Sequence, residues 1–261
     1  MLAKPGGSFK DEGFESMRSV LDELCGELAG KFNLYASDGR PRRVFVLDPL
    51  LRYSCRGCIA KVFMQPRHSG VDALYVQNHD LAVGLLVEEL RRRLGREYSN
   101  FVVEEEASGA YGRPDIVVRA TPTGVIIEID GALEIIVEVK TGAGFTYSQV
   151  FRYLIERPNA VLVLWRVIRR QPIVLEGGKL RSLLLMVMEA AVNRGTAVLN
   201  GELEECKHNP NRKGKPCTVE DAQAIVDEFL SALTETMPTI VETVLNIVRS
   251  RLQTATAQVR V

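Results

Sequence analysis

Apolar residues Phe14, Met17, Val20, Leu21, Leu24 and Leu28 recur at three- and four-residue steps, which predicts an amphipathic helix over residues 14–34. A turn with basic residues, Gly39 to Arg43, follows, and Asp48-Pro49 suits a helix start leading into Cys55-Arg56-Gly57-Cys58. Residues 70–95 read as a long helix with Leu81, Leu85, Leu86, Leu90 and Leu94 on one side, Arg91-Arg92-Arg93 on the other and His79 near its start. From Phe101 the period changes. Phe101 to Glu105, Asp115 to Arg119, Val125 to Ile129 and Glu134 to Lys140 are short, rich in Val and Ile and separated by Gly or Pro, which predicts strands in an antiparallel meander. Thr146 to Arg157 then reads as a helix, Ala160 to Ile168 as a buried strand and Leu180 to Asn193 as a helix. After a polar, Lys- and Asn-rich stretch at 201–218, residues 219–252 form a long helix that Pro238 is expected to kink or split. The pattern predicts an α/β fold, a sheet flanked by helices, without internal repeats.

A chain of 261 residues favours one catalytic domain with elaborations. Three segments suggest themselves: an N-terminal helical segment (1–70) with the first cysteine pair, a core (71–200), and a cysteine loop with a C-terminal helix packing on that core (201–261). Lys plus Arg and Asp plus Glu both number 33, so any nucleic-acid surface must come from charge distribution, not from a basic excess. The longest apolar runs, such as Ala160 to Val167, fall far short of the roughly 20 residues of a membrane helix, so no membrane span is expected. Met1 to Gly7 runs straight into polar residues without the apolar stretch of a signal peptide, which predicts a cytoplasmic protein. Five cysteines, unevenly spread, do not make a secreted disulfide framework, and in a reducing compartment paired cysteines read as metal or cluster ligands.

The chemistry concentrates in Pro114-Asp115 and Glu138-Val139-Lys140, a PD-(D/E)XK pattern. Strand side chains alternate, so Glu138 and Lys140 share a face while Val139 points into the core. With Asp115 on the adjacent strand, two carboxylates and an ammonium converge. Hard oxygen ligands of this kind suit Mg²⁺ or Mn²⁺, with the Val139 carbonyl as a further ligand and Lys140 orienting an attacking water. An isolated Glu-x-Lys is more often an ion pair or a solvated strand edge; here rare charges end two apolar strands, where charge is costly without a purpose.

The helix after Lys140 carries Gln149-Val150-Phe151-Arg152-Tyr153, a Gln-x-x-x-Tyr element whose spacing puts Gln149 and Tyr153 on one face. With these motifs in this order the chain resembles the RecB-like nucleases of the PD-(D/E)XK superfamily, over roughly residues 45 to 217. The resemblance implies a restriction-endonuclease-like core in 71–200, with a mixed, largely antiparallel sheet. It further implies a metal-dependent deoxyribonuclease with catalytic Asp115, Glu138 and Lys140, and Gln149 and Tyr153 touching the substrate. It makes His79 an additional metal ligand beside Asp115, Glu138 and Val139; Glu88 or Glu89 is the rival, and Glu104 to Glu106 a further acidic contact.

Cys55, Cys58, Cys206 and Cys217 bracket this core, and four thiolates from two segments suit zinc or an iron–sulfur cluster. The CRISPR-associated RecB-like exonucleases hold an iron–sulfur cluster between such flanking segments, and Leu50 to Cys55 is similar to their first one. That family has one cysteine followed later by three; this chain divides them two and two. The resemblance implies an exonuclease acting on single-stranded or frayed DNA in spacer acquisition, with other CRISPR adaptation proteins as partners. A repair or restriction nuclease, or a non-catalytic DNA-binding subunit using Arg91 to Arg93 and Lys207 to Lys215, is the alternative. Cys25 reads as a core residue.

Overall fold

The computed structural model describes residues 12–33, 47–52, 71–107, 109, 111–120, 133–142, 147–176, 178–203 and 217–259. Helices α1 (Glu12–Phe32), α2 (Leu47–Arg52) and α3 (Val71–Glu97) precede strands β1 (Phe101–Glu105), β2 (Ile116–Ala120) and β3 (Leu133–Lys140). Helix α4 (Tyr147–Glu156), β4 (Val161–Arg166), a 3₁₀ turn (Val167–Arg169), β5 (Gln171–Leu175), α5 (Gly178–Asn200) and α6 (Val219–Val259) follow. The five strands form one sheet in the order β1-β2-β3-β4-β5. β3 and β4 run parallel across the α4 crossover, and the other neighbours are antiparallel. The expected mixed, largely antiparallel sheet flanked by helices is therefore what forms. The strand expected at 125–129 lies outside the described residues.

Strand alternation divides the interior into two layers. Ile116, Val118, Ile135, Val137, Val139, Val163 and Trp165 face a core closed by α3 and α6. Val117, Ile136 and Leu162 face a second core closed by α1, α2, α4 and α5. By the same parity Asp115, Glu138 and Lys140 lie on the second face. The terminal segments thus share cores with the middle of the chain. Cys25 is buried in the second core, as its helical position suggests.

Several local expectations yield to packing. Leu81 and Leu85 are exposed, because α3 turns Ala82, Val83, Leu86, Val87, Leu90 and Leu94 inward between the sheet and α6. The basic run of α3 is used within the protein: Arg91 donates to the Val103 carbonyl at 2.8 Å, Arg92 pairs with Glu89 and Arg93 with Glu242. α6 continues through Pro238 instead of breaking. A helix-interior proline costs about 3 kcal/mol. Burial of Leu233, Ile240, Val241, Val244, Leu245 and Val248 around it, at about 1.5–3 kcal/mol each, exceeds that cost. β5 was not evident from the sequence, since Gln171-Pro172-Ile173-Val174-Leu175 is short and contains a proline; as an edge strand it tolerates one. Leu180–Asn200 of α5 is long and apolar enough to cross a membrane. In this fold α5 packs on α1, with Leu184, Met188, Ala191 and Val198 buried.

Candidate active site

The site forms where β2 begins and β3 ends. The Glu106 N–H donates to the Asp115 carbonyl at 2.8 Å, which anchors the turn before β2 against the end of β1. Ile116 pairs with Val137 in the antiparallel register, so Asp115 falls opposite Glu138 on the same face. The Val139 N–H donates to Asp115 Oδ2 at 2.7 Å. On the other side, Thr141 Oγ1 donates to the Tyr75 carbonyl at 2.9 Å and ties the end of β3 to the first turns of α3. That tie brings His79 to the carboxylates: its Nε2 lies 3.1 Å from Asp115 Oδ2, and its Nδ1 lies 3.4 Å from Asp80 Oδ1. Carboxylates thus face both ring nitrogens of His79.

Glu138 is fully buried, and its Oε1 receives the Lys140 ammonium at 2.5 Å. The Glu–Lys pair is therefore an enclosed one and not a solvated strand edge. Its Oε2 is buried with no hydrogen-bond partner of sound geometry, although the Tyr153 phenol bears on the same carboxylate. Burial, with the charge of Asp115 added, pushes Glu138 up to about 7 against the pull of Lys140 and Tyr153. Burial draws the His79 imidazole down, but the hydrogen bond and charge of Asp115, helped by Asp80, outweigh it and leave His79 raised. Tyr153 is raised by its own burial and by Glu138.

Tyr153 stands behind Glu138 at 3% exposure, with the buried guanidinium of Arg152 5.8 Å from its ring centroid. Gln149 lies one turn earlier in α4; its side chain is outside the described residues. Gly112 was not singled out by the sequence. A Cβ there would stand 2.8 Å from Tyr153 Cε1, so only glycine lets the turn before Asp115 pass the ring. Gly112→Ala is expected to displace the ring and cost about 1–3 kcal/mol, read as a lowered Tm, whereas Gly84→Ala, with open space around it, leaves Tm unchanged or higher.

The rival carboxylates lie elsewhere. Glu88 and Glu89 line a groove between α3 and α6, Glu104 pairs with Arg119 and Glu106 with Arg113. Among the described residues no three His, Cys, Asp or Glu side chains stand ready-spaced around a metal position. The donor set nonetheless suits a hard divalent cation: two carboxylates converge, one oxygen of the enclosed Glu138 lacks a partner, and an imidazole adjoins them. Cys55, Cys58 and Cys206 lie outside the described residues. Cys217, just before α6, is a half-buried free thiol whose Sγ lies 3.5 Å from the Thr218 carbonyl. Comparison with protein-family models, with curated proteins and with solved structures finds no match to this chain.

Proposed function

We propose that the chain is a divalent-metal-dependent DNA exonuclease of the RecB-like PD-(D/E)XK type, acting on single-stranded or frayed ends. The observation that carries this reading is Glu138: a fully enclosed carboxylate facing Asp115 with one oxygen unpartnered. Two carboxylates facing each other, one of them enclosed, are only partly balanced by the single Lys140 ammonium, and a divalent cation would supply the remaining positive charge. Asp115, Glu138, the Val139 carbonyl and His79 would hold Mg²⁺ or Mn²⁺. When bound, the ion supplies Lewis acidity for a water nucleophile and for charge developing on the phosphate. The Val139 N–H holds Asp115 in place and Tyr153 backs Glu138. Lys140, leaving its pairing with Glu138, orients the water and donates to a phosphate oxygen. Gln149, on the same crossover helix, is assigned to the substrate by the motif resemblance. DNA as substrate, and spacer acquisition with other CRISPR adaptation proteins as the setting, rest on the motif resemblance.

The test is end-labelled linear DNA and circular single-stranded DNA incubated with Mg²⁺, Mn²⁺ or chelator. Stepwise shortening of linear DNA only with metal, with circles intact, is the expected result. Cut circles would replace exonuclease by endonuclease, and intact DNA under every condition rejects catalysis. His79→Ala is expected to reduce the rate most at limiting metal, with saturating Mn²⁺ restoring much of it; a uniform loss at all metal concentrations rejects the ligand role.

A second cofactor belongs to the proposal: an iron–sulfur cluster on Cys55, Cys58, Cys206 and Cys217, with zinc as the alternative for the same four thiolates. Protein purified without oxygen is expected to be brown and to bleach on reduction, and Cys217→Ser to lose the colour. Colourless protein with stoichiometric zinc replaces the cluster but keeps the ligands; four freely alkylated thiols in folded protein reject the centre.

A further inference from the structure

We infer that Arg166 and Gln171 extend the site as a phosphate-binding row for the strand being cut, contacting a phosphate adjacent to the scissile one; this rests on the nuclease reading above. The row is set by sheet register. Lys140 at the end of β3 pairs with Arg166 at the end of β4, and Arg166 pairs with Gln171 at the start of β5. Alternation gives all three the face of Glu138. Ile136 and Leu162 enter one core while Val137, Val139, Val163 and Trp165 enter the other, and Leu175, of the same parity as Gln171, packs on the Ile136 side. One pairing inward, Glu138 stands opposite Leu164 and Leu164 opposite Ile173. Negative charge thus stays at β2 and β3, and a line of donors leads away from it towards the β5 edge.

Neighbouring strands lie about 4.7–4.9 Å apart, so Lys140, Arg166 and Gln171 span about 10 Å of backbone. Their position at the carboxyl ends of the parallel pair β3 and β4 is the usual place for a ligand on an α/β sheet. Arg166 is partly exposed, and its guanidinium makes no ion pair or hydrogen bond among the described residues. Arg92, Arg93, Arg119, Arg170 and Arg249 are each held by a carboxylate. A guanidinium presents a planar fork that matches two phosphate oxygens, and the exposed Gln171 amide adds a neutral donor. Contacts of this kind hold the sugar–phosphate backbone without reading bases, so the row fits a phosphodiester strand of any sequence.

The test is binding of the full chain, without catalysis, to a short fluorescent single-stranded oligonucleotide in chelator, measured by anisotropy across a salt series. Arg166→Gln is expected to weaken binding about tenfold at low salt and to reduce the slope of log Kd against log salt by about 0.7. Arg166→Lys should keep the slope and recover part of the affinity. Gln171→Glu, at an exposed edge position that does not threaten folding, should also lose affinity, by placing a carboxylate beside the phosphate. Arg96→Gln, an exposed cation near the far end of α3, should leave Kd unchanged. In turnover, Arg166→Gln should raise KM far more than it lowers kcat. If the wild-type protein binds and cuts DNA while Arg166→Gln and Gln171→Glu match its Kd and salt slope, the row is rejected and the nuclease reading stands. If the wild-type protein neither binds nor cuts DNA, the nuclease reading falls and takes the row with it.

Discussion

Glu138→Gln is expected to lower metal-supported cleavage by about 10³-fold or more while leaving the fold intact. The amide has the same shape as the carboxylate, so the enclosed position beside Ile136 and Tyr153 is not emptied. What is lost is the charge that attracts a cation and pairs with Lys140. Asp115→Asn should have an effect of similar size for a second reason: it also weakens the contact that holds His79 Nε2 3.1 Å away. Single-turnover rates on end-labelled DNA give the loss, and circular dichroism with oligonucleotide binding in chelator shows whether folding and binding survive. Wild-type rates in Glu138→Gln would sink the assignment of the site.

The second large effect is on stability, and its sign follows from the same residue. The folded protein holds the Glu138 proton until about pH 7, whereas the unfolded chain releases it near 4.5. Between these values the unfolded state binds fewer protons, so stability is fully present below about 4.5 and is lost as pH rises through 7. Stability therefore falls across that window, read as a lowered Tm at the higher pH. His79 acts in the same direction, because its raised value also means that the folded state holds its proton more tightly. In chelator, the wild-type protein should therefore lose stability between pH 5 and pH 8 relative to Glu138→Gln. Mn²⁺ should restore it, by about 2.7 kcal/mol at a hundred times Kd, and more effectively above pH 7, where the carboxylate no longer competes with its own proton. Denaturant melts at the two pH values, with and without metal, measure this. Equal pH dependence in wild-type protein and variant would show that Glu138 is not the buried acid described.

The chain's local pattern was enough to place α1, α3, α4 and, to within a residue, β2 and β3, because side-chain period is a property of neighbours in sequence. It also put Glu138 and Lys140 on one face and Val139 on the other, since alternation needs no partner strand. Asp115 stood out because it follows Pro114 and puts a charge at the end of a Val-rich strand, where charge is costly without a purpose. Nothing local says that Leu81 and Leu85 stay in water while Ala82 and Val83 are buried; that choice belongs to α6, which lies 150 or so positions away and covers only part of α3. Nor does local pattern carry α6 through Pro238, because the compensation comes from apolar burial against α3 and the sheet.

Residue type and local period settle which positions are charged, which alternate and which recur with helical spacing, and so the elements and the nearness of Glu138 to Lys140. Tertiary structure alone decided that Thr141 reaches Tyr75 and draws His79 to Asp115, that Tyr153 closes over Glu138 beside Gly112, and that the parallel β3–β4 pairing sets Arg166 next to Lys140. The reason is physical: the proton affinity of Glu138 and the partners of a guanidinium depend on solvent exclusion and on charges a few ångströms away in space, and chain folding, not sequence order, sets both.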